Sequence, residues 1–171
     1  MYLRPYNKTK DFEYVKGWIT DERTHALWCA DLLPYPLTEE AFSNNLAQGE
    51  RDWGRCGYTF MDDSHCPVGF CGFSVNEKEC SGFVNFIVLD SSLRGQGYGT
   101  KMLKLLLKYA FEIVGVDIVR LNVFDSNVGA RKCYEKVGFE EVATTSDAFR
   151  FGEESWGRCL MAAHRQPDIL Q

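Results

Sequence analysis

A glycine-rich segment at residues 93–100 has the composition of a phosphate-binding loop. Its sequence is Leu-Arg-Gly-Gln-Gly-Tyr-Gly-Thr, so that glycines alternate with larger residues from Gly95 to Gly99. A strand-like apolar run at 83–89 precedes it, and a helix-like run at 101–114 follows it. The first N–H groups of a helix lack partners and lie at the positive end of the helix dipole. A loop with little side-chain bulk at this place therefore presents bare amides to an anion.

Two well-known phosphate loops do not match this segment. A Walker loop has Lys followed by Ser or Thr after its second glycine, whereas here Gly99 is followed by Thr100 and then Lys101. The dinucleotide fingerprint G-x-G-x-x-G requires an acidic residue about 20 positions later. Here the third glycine comes one residue early and Asp125, the nearest suitable acid, is about 30 residues from Gly95. A tight turn without a ligand is the alternative for the loop taken alone.

A second pattern follows at residues 127–139 and reads Asn-x-x-Ala-x-x-x-Tyr-x-x-x-Gly-Phe. Asn127 is a favourable N-cap and Gly138 is a favourable residue just past a helix C-terminus. The segment therefore predicts a helix of about ten residues. Ala130 and Tyr134, four residues apart, share one face of that helix.

Together the two patterns resemble the GNAT superfamily of N-acetyltransferases. Residues 94–99 fit the pyrophosphate-loop pattern Arg/Gln-x-x-Gly-x-Gly/Ala, and the second signature follows in the same order about 30 residues later. The resemblance is close over residues 66–143 and looser elsewhere. It implies an α/β fold of the GNAT acyltransferase type, with a central twisted mixed sheet, helices on both faces and one domain over residues 1–171. It also implies an acetyl-CoA-dependent N-acetyltransferase.

The resemblance also assigns roles to individual residues. Tyr134 matches the general acid that protonates the leaving thiolate, while a core aromatic at helical spacing is the alternative. A backbone N–H near Val88 or Leu89 would polarise the thioester carbonyl where the central strands separate. The other residues expected to bind acetyl-CoA are Ile87, Arg94, Gly95, Gln96, Gly97, Tyr98, Gly99, Thr100, Asn127 and Ala130.

The general base is missing from its usual place in the family. Many members carry Glu on the strand before the loop, near Phe83 or Val84, but this chain has no acid at 81–89. Asn85, the polar side chain inside that strand, can orient a water molecule and cannot act as a base. Deprotonation of the amine through water is the leading hypothesis. The other candidates are Asp31, Glu40, Glu77, Glu79 and His65.

The acceptor is expected to be a primary amine, on a small molecule or a peptide, that attacks acetyl-CoA directly in a ternary complex. Aromatic and acidic residues of the N-terminal half and of the last strands are candidates to line its site. They are Trp28, Tyr35, Trp53, Phe149, Asp31, Glu39 and Glu40, with Asn85 and Asn122 as weaker candidates. The missing strand carboxylate motivates one alternative, a non-catalytic CoA-binding module with a regulatory or ligand-sensing role.

Composition and charge limit which partners and which cellular compartment are expected for this protein. The 171 residues are 45% hydrophobic and 25% charged, which is typical of a soluble globular domain. A net charge of −5 argues against a nucleic-acid partner. Seven cysteines, three histidines and no C-x-x-C pair argue against a metal site and favour free thiols in the cytoplasm. The sequence has no run of 18 apolar residues and no signal peptide, so we expect no association with a membrane. A homodimer is one open alternative for the oligomeric state.

The periodicity of apolar residues and the turn signals predict the order of the elements. Strands are expected at 2–4, 55–61, 67–76, 80–89, 117–124, 139–142 and 156–162. Helices are expected at 11–19, 23–32, 38–47, 101–114 and 127–137.

Overall fold

A computed structural model describes residues 1–166 and contains one mixed sheet of seven strands in the order β1-β2-β3-β4-β5-β7-β6. The strands are β1 (Tyr2–Pro5), β2 (Cys56–Met61), β3 (Pro67–Asn76), β4 (Ser81–Leu89), β5 (Ile118–Phe124), β6 (Glu140–Phe151) and β7 (Glu154–His164). The helices are α1 (Lys8–Trp18), α2 (Glu22–Cys29), α3 (Glu39–Trp53), α4 (Tyr98–Lys108) and α5 (Val128–Lys136). Only β4 and β5 pair in parallel, and each other neighbouring pair is antiparallel.

Side-chain caps fix where the helices begin. Thr38 accepts a hydrogen bond from the Ala41 N–H at 3.3 Å, as the sequence predicts for the start of α3. Asn127 accepts one from the Ala130 N–H at 3.3 Å at the start of α5, which confirms its predicted capping role. Such a cap stabilises a helix by about 1 kcal/mol. The caps therefore position both helices independently of any ligand.

Helices cover both faces of the sheet, as expected for the fold. On one face α4 and α5 pack on the sheet around Leu103, Leu106 and Tyr134. On the other face α1, α2 and α3 enclose a second cluster that includes Val15 and Phe42. The sheet is thus buried from both sides at its centre, where β3, β4 and β5 lie.

Several boundaries differ from the sequence-based expectation, among them the start of α1 at Lys8 and the end of α2 at Cys29. Helix α4 begins at Tyr98, inside the glycine-rich segment, and continues past Lys108 as a π-helical turn over Tyr109–Val114. Helix α3 extends to Trp53 instead of ending near residue 47. The prediction of a short strand at 139–142 is wrong, because β6 runs from Glu140 to Phe151. Its polar, mostly exposed residues lack a strand-like pattern, and its pairing with β7 supplies the order that the local sequence does not.

Candidate active site

The two parallel strands at the centre of the sheet separate halfway along their length. Residues 81–84 of β4 pair with residues 118–121 of β5, and the pairing ends there. Beyond this point β4 continues to Leu89 and β5 continues to Phe124. Main-chain groups of β4 that would bond to β5 are therefore open to another partner at the carboxyl end of the strands.

A bulge in β4 accompanies the separation. Gly72 of β3 faces Asn85, whereas Phe70 faces Val88, so β4 contains one extra residue between the two pairs. Phe86 has a φ of +50°, a left-handed conformation that is uncommon for a residue other than glycine. The extra residue reverses the alternation of side chains: Val84 faces the α4 and α5 side, and Phe86 faces the side of α1 to α3.

A cavity of about 590 Å³, the large cavity, opens between the separated strands and the N-termini of α4 and α5. Most of the residues that the sequence assigns to the site line it. They are Trp28, Asn85, Ile87, Val88, Leu89, Arg94, Gly95, Gly97, Gly99, Thr100, Asn122, Asn127, Ala130 and Tyr134. The remaining lining residues are Thr24, Leu27, Val84, Phe86, Leu103, Val123, Gly129, Lys132, Cys133 and Lys136.

The charges that line the large cavity all have one sign. Arg94, Lys132 and Lys136 contribute to the lining, and no Asp or Glu of the described chain does so. This excess of positive charge occurs in a chain whose net charge is −5. The large cavity therefore suits an anionic ligand.

The glycine-rich segment leaves its amides accessible at the mouth of the large cavity. Gly95 and Gly97 have φ of +75° and +82°, and a Cβ at either position would meet no atom within 4 Å. Within residues 1–166, no backbone carbonyl accepts a hydrogen bond from the amides of residues 97–100. Gly99 serves packing instead, because its Cβ would stand 3.2 Å from the Cys133 sulfur on α5. Free amides, open space and a helix N-terminus together form a cradle suited to phosphate.

Tyr134 reaches the same cavity from α5. Its side chain is 8% exposed and packs edge-on against Phe139 at 5.9 Å. Burial raises the pKa of the Tyr134 phenol well above its usual value. The phenol therefore stays protonated at neutral pH, as a proton donor must.

A second cavity of about 260 Å³, the small cavity, lies on the α2 side of the separated strands. Seven residues line both cavities, namely Leu27, Trp28, Val84, Asn85, Phe86, Asn122 and Val123. The other residues of the small cavity are Cys29, Ala30, Leu32, Arg55, Phe83, Phe124 and Arg158. Ligands in the two cavities would thus meet at these seven shared residues.

Some residues expected at the site line neither cavity. Gln96 donates from Nε2 to the Ser92 carbonyl at 2.8 Å, and Tyr98 packs at the edge of the core. Tyr35 is 45% exposed and packs near His25. The others outside both cavities are Trp53, Phe149, Asp31, Glu39, Glu40, Glu77, Glu79 and His65. No carboxylate or imidazole of the described residues therefore lines either cavity, and neither cavity holds a general base of these kinds.

Cys29 and His25 lie side by side on α2 without forming a reactive pair. The Cys29 sulfur is 3.4 Å from Nε2 of His25, and both side chains are buried. Burial raises the pKa of the Cys29 thiol to about 11 and lowers the pKa of His25. Both groups are therefore neutral near pH 7, which argues against a thiolate nucleophile.

The buried imidazole makes the stability of α2 depend on pH. The unfolded His25 titrates near pH 6.5 and the folded one below it, so the unfolded state binds more protons as the pH falls. We expect the free energy of unfolding to decrease below about pH 6.5, by at most about 1.4 kcal/mol per pH unit from this one proton. Urea unfolding at pH 5 to 8 should give a flatter profile for His25→Gln than for the exposed control His164→Gln. Equal slopes in the two variants would contradict the assignment.

Four basic residues that line the two cavities were not predicted from the sequence. Lys132 and Lys136 are four residues apart on the same predicted helix as Tyr134, and that spacing could have placed them together. Arg55 precedes β2 and Arg158 lies on β7, so only the folded chain places both of them at the small cavity.

The fold and the large cavity are those expected of an α/β acyltransferase, with a glycine-rich loop suited to a phosphate-bearing ligand. The family model described as "Acetyltransferase (GNAT) family" matches residues 15–139. The chain therefore belongs to the acetyltransferase (GNAT) family, which confirms the resemblance seen in its sequence. As a member of that family it is an N-acetyltransferase.

Named relatives agree with this class. The human alpha/beta-tubulin-N-acetyltransferase 9 is 22% identical over 84% of this chain and 74% of its own length. The spermine/spermidine N(1)-acetyltransferase of Bacillus subtilis is 33% identical over 42% of this chain and 47% of its own length. This chain thus spans about half the length of that bacterial relative. Because the relatives are named as enzymes, the non-catalytic alternative is not favoured.

Solved structures share the fold. Spermidine N-acetyltransferase from Vibrio cholerae in complex with CoA and spermine has a TM-score of 0.78 and 17% identity, covering 95% of this chain and 94% of that one. A putative phosphinothricin N-acetyltransferase has a TM-score of 0.77 and 20% identity over 96% of this chain and 98% of that one. In residues 1–166, no helix is long and apolar enough to span a membrane. The same residues contain no group of three or more side chains placed to hold a metal ion.

Proposed function

We propose that the protein transfers the acetyl group of acetyl-CoA to a primary amine by direct attack in a ternary complex. One observation carries the proposal: a cavity with only positive charges and free loop amides adjoins a second cavity across the separated ends of β4 and β5. One cavity suits a polyanionic cosubstrate, and the other leaves room for an acceptor at the same time.

The large cavity fits CoA because it offers hydrogen-bond donors and positive charges to the phosphates. The free amides at residues 97–100 and the side chain of Arg94 would bind the diphosphate. Lys132 and Lys136 add positive charge on α5. The edge of β4 at residues 85–89 that faces away from β3 has no pairing with β5, and it would hold the pantetheine arm as a strand would, with Ile87, Val88 and Leu89 along it. When bound, acetyl-CoA supplies the thioester that is to be attacked.

Residues of this chain would take part in the proton transfers of the reaction. The amine nitrogen forms the new N–C bond, the C–S bond breaks, and Tyr134 gives its proton to the departing sulfur. Because no carboxylate or imidazole of the described residues lines either cavity, the amine proton would leave through water. Asn85 and Asn122 line both cavities, and they would orient the amine or that water.

Steady-state kinetics can test direct attack. We expect CoA to be released only when both substrates are present, because both must be bound together. For the same reason, double-reciprocal plots for acetyl-CoA and the amine should intersect. Cys133, a thiol in the large cavity, is the obvious alternative acyl carrier, so Cys133→Ala should keep turnover within about threefold, a change of roughly 0.7 kcal/mol in the barrier. Parallel plots, or an acetylated Cys133 detected by mass spectrometry, would replace direct attack by a covalent route.

A further inference from the structure

The small cavity has a charge pattern that restricts the acceptor. Arg55 and Arg158 are its charged lining residues, and no Asp or Glu of the described chain contributes to its lining. The acids that the sequence suggested for a cationic amine lie elsewhere, with Asp31 62% exposed and directed to His25 at 3.9 Å. A cavity with two cations and no carboxylate is suited to an anionic group.

Arg55 is held in place without a compensating anion. Its Nη2 donates to the backbone carbonyl and to Oδ1 of Asn45, both at 2.6 Å. Its guanidinium lies over the Phe86 ring, 4.9 Å from the centroid. Within residues 1–166 no carboxylate lies in ion-pair distance of Arg55, and Nη1 has no hydrogen-bond partner. Nη1 is thus left to bind a ligand.

The fold keeps space for this arginine at two glycines. A Cβ on Gly49 of α3 would collide with the Arg55 guanidinium. A Cβ on Gly72 of β3 would stand 3.1 Å from the Arg55 Cδ and would also collide with Oδ1 of Asn85. Asn85, which lines both cavities, therefore lies next to Arg55, and a group bound at Arg55 would be near the separated strands.

A half-buried guanidinium without a carboxylate partner is unfavourable in free energy, and a bound anion would reduce that free-energy cost. Burial lowers the pKa of the Arg55 guanidinium, consistent with an environment that disfavours its charge. Arg158 lies on β7 opposite Phe124 and also has no ion pair with a described residue. Two arginines that line one cavity supply the kind of groups that bind a carboxylate in a fixed orientation.

The size and walls of the small cavity limit the rest of the acceptor. Its volume of about 260 Å³ corresponds to roughly nine water molecules at about 30 Å³ each, which is the scale of one amino acid. Leu27, Trp28, Phe83, Phe86 and Phe124 supply apolar walls. A polyamine would bring further ammonium groups towards Arg55 and Arg158, where like charges repel.

We infer that the acceptor is an amino acid with a free carboxylate and an apolar side chain, whose carboxylate binds to Arg55 and Arg158. This inference rests on the proposed function, since it names the substrate class of the same site. It departs from the polyamines named for several similar proteins, because the charge that lines the small cavity has the opposite sign to the one that a polycation requires.

Matched ligands test the inference in binding. Calorimetry on the chain saturated with CoA would compare L-leucine, L-phenylalanine and L-methionine with their amides, their decarboxylated amines and spermidine. We expect each acid to bind at least tenfold more tightly than its amide or amine. Equal binding of acids and amides, or tighter binding of spermidine, would overturn the inference even if every ligand is acetylated.

Two variants test whether Arg55 and Arg158 cause the preference for acids over amines. We expect Arg55→Gln to lower kcat/KM for the acids by about 100-fold and to change that for the decarboxylated amines by less than threefold. Arg158→Gln should cost the acids about tenfold, and the exposed Arg150→Gln on β6 is the matched control. A preference for acids that survives in both Arg55→Gln and Arg158→Gln would remove these residues from recognition.

The two proposals fail in different ways. Absence of CoA release with every amine, together with intact binding of acids to Arg55, would contradict the acetyltransferase and leave the carboxylate site. Release with amines alone would contradict the carboxylate site and leave the acetyltransferase. If Arg55→Gln fails to fold, the comparison of acids with amides on the unaltered chain still decides.

Discussion

Tyr134→Phe is expected to lower kcat by about 100- to 1,000-fold while the Kd for CoA changes less than threefold. General acid catalysis contributes typically 10²–10⁴-fold, and the variant removes only the hydroxyl of a ring whose packing against Phe139 remains. Burial raises the pKa of the Tyr134 phenol, so the protonated, active form persists at least to pH 10. The rate of the unaltered enzyme should therefore show no loss from phenol ionisation between pH 7 and 10.

Three measurements separate catalysis from structure in this variant. Single-turnover rates report the chemical step, calorimetry reports CoA binding, and thermal unfolding reports stability. Tyr14→Phe on α1, where Tyr14 is 48% exposed, is the matched control and should behave as the unaltered enzyme. A variant Tyr134→Phe with full turnover would show that the phenol is part of the core and not the acid.

Gly97→Val is expected to weaken CoA binding by about 100-fold, a change of about 2.7 kcal/mol. At a φ of +82° the branched residue costs roughly 1–2 kcal/mol of backbone strain. The new side chain also occupies space that the phosphate needs, and a hydrogen bond to a charged group is worth about 1.5–3 kcal/mol. Calorimetry with CoA and with acetyl-CoA measures the effect.

The turn between β6 and β7 offers a control with the same strain. Gly152 has a φ of +59°, and a Cβ there would also meet no atom within 4 Å. Gly152→Val should therefore lower stability to a similar extent without changing the Kd for CoA. If both variants lose CoA equally, the loss arises from strain, and the diphosphate binds away from the loop.

Local patterns were sufficient to predict most of the residues that line the loop and α5 side of the large cavity. The loop at 94–99 and the helix after Asn127 are each contiguous, and their caps and glycines act within a few residues. Tyr134 could be placed in the site because its helix face follows from its spacing to Ala130. The chemistry of a local motif can thus be inferred before the fold is known.

Features that depend on pairing between distant segments could not be predicted in this way. The length of β6 is set by its partner β7, and its own residues are polar. Arg55 and Arg158 are about 100 residues apart in sequence, and neither lies in a pattern that indicates a cavity. For an acceptor site the sequence therefore suggested acids, whereas the small cavity of the structure is lined by arginines.

The extra residue in β4 makes this strand sensitive to insertion and deletion. Loss of one residue between Asn85 and Ile87 would restore a regular alternation, and Val88 and Leu89 would exchange faces. Val88 would then leave the cluster beneath α1 to α3, and the gap towards β5 would lose the bulge that accompanies it. Substitutions along β4 change one side chain each, whereas a change of length by a single codon would alter both hydrophobic clusters and the large cavity at once.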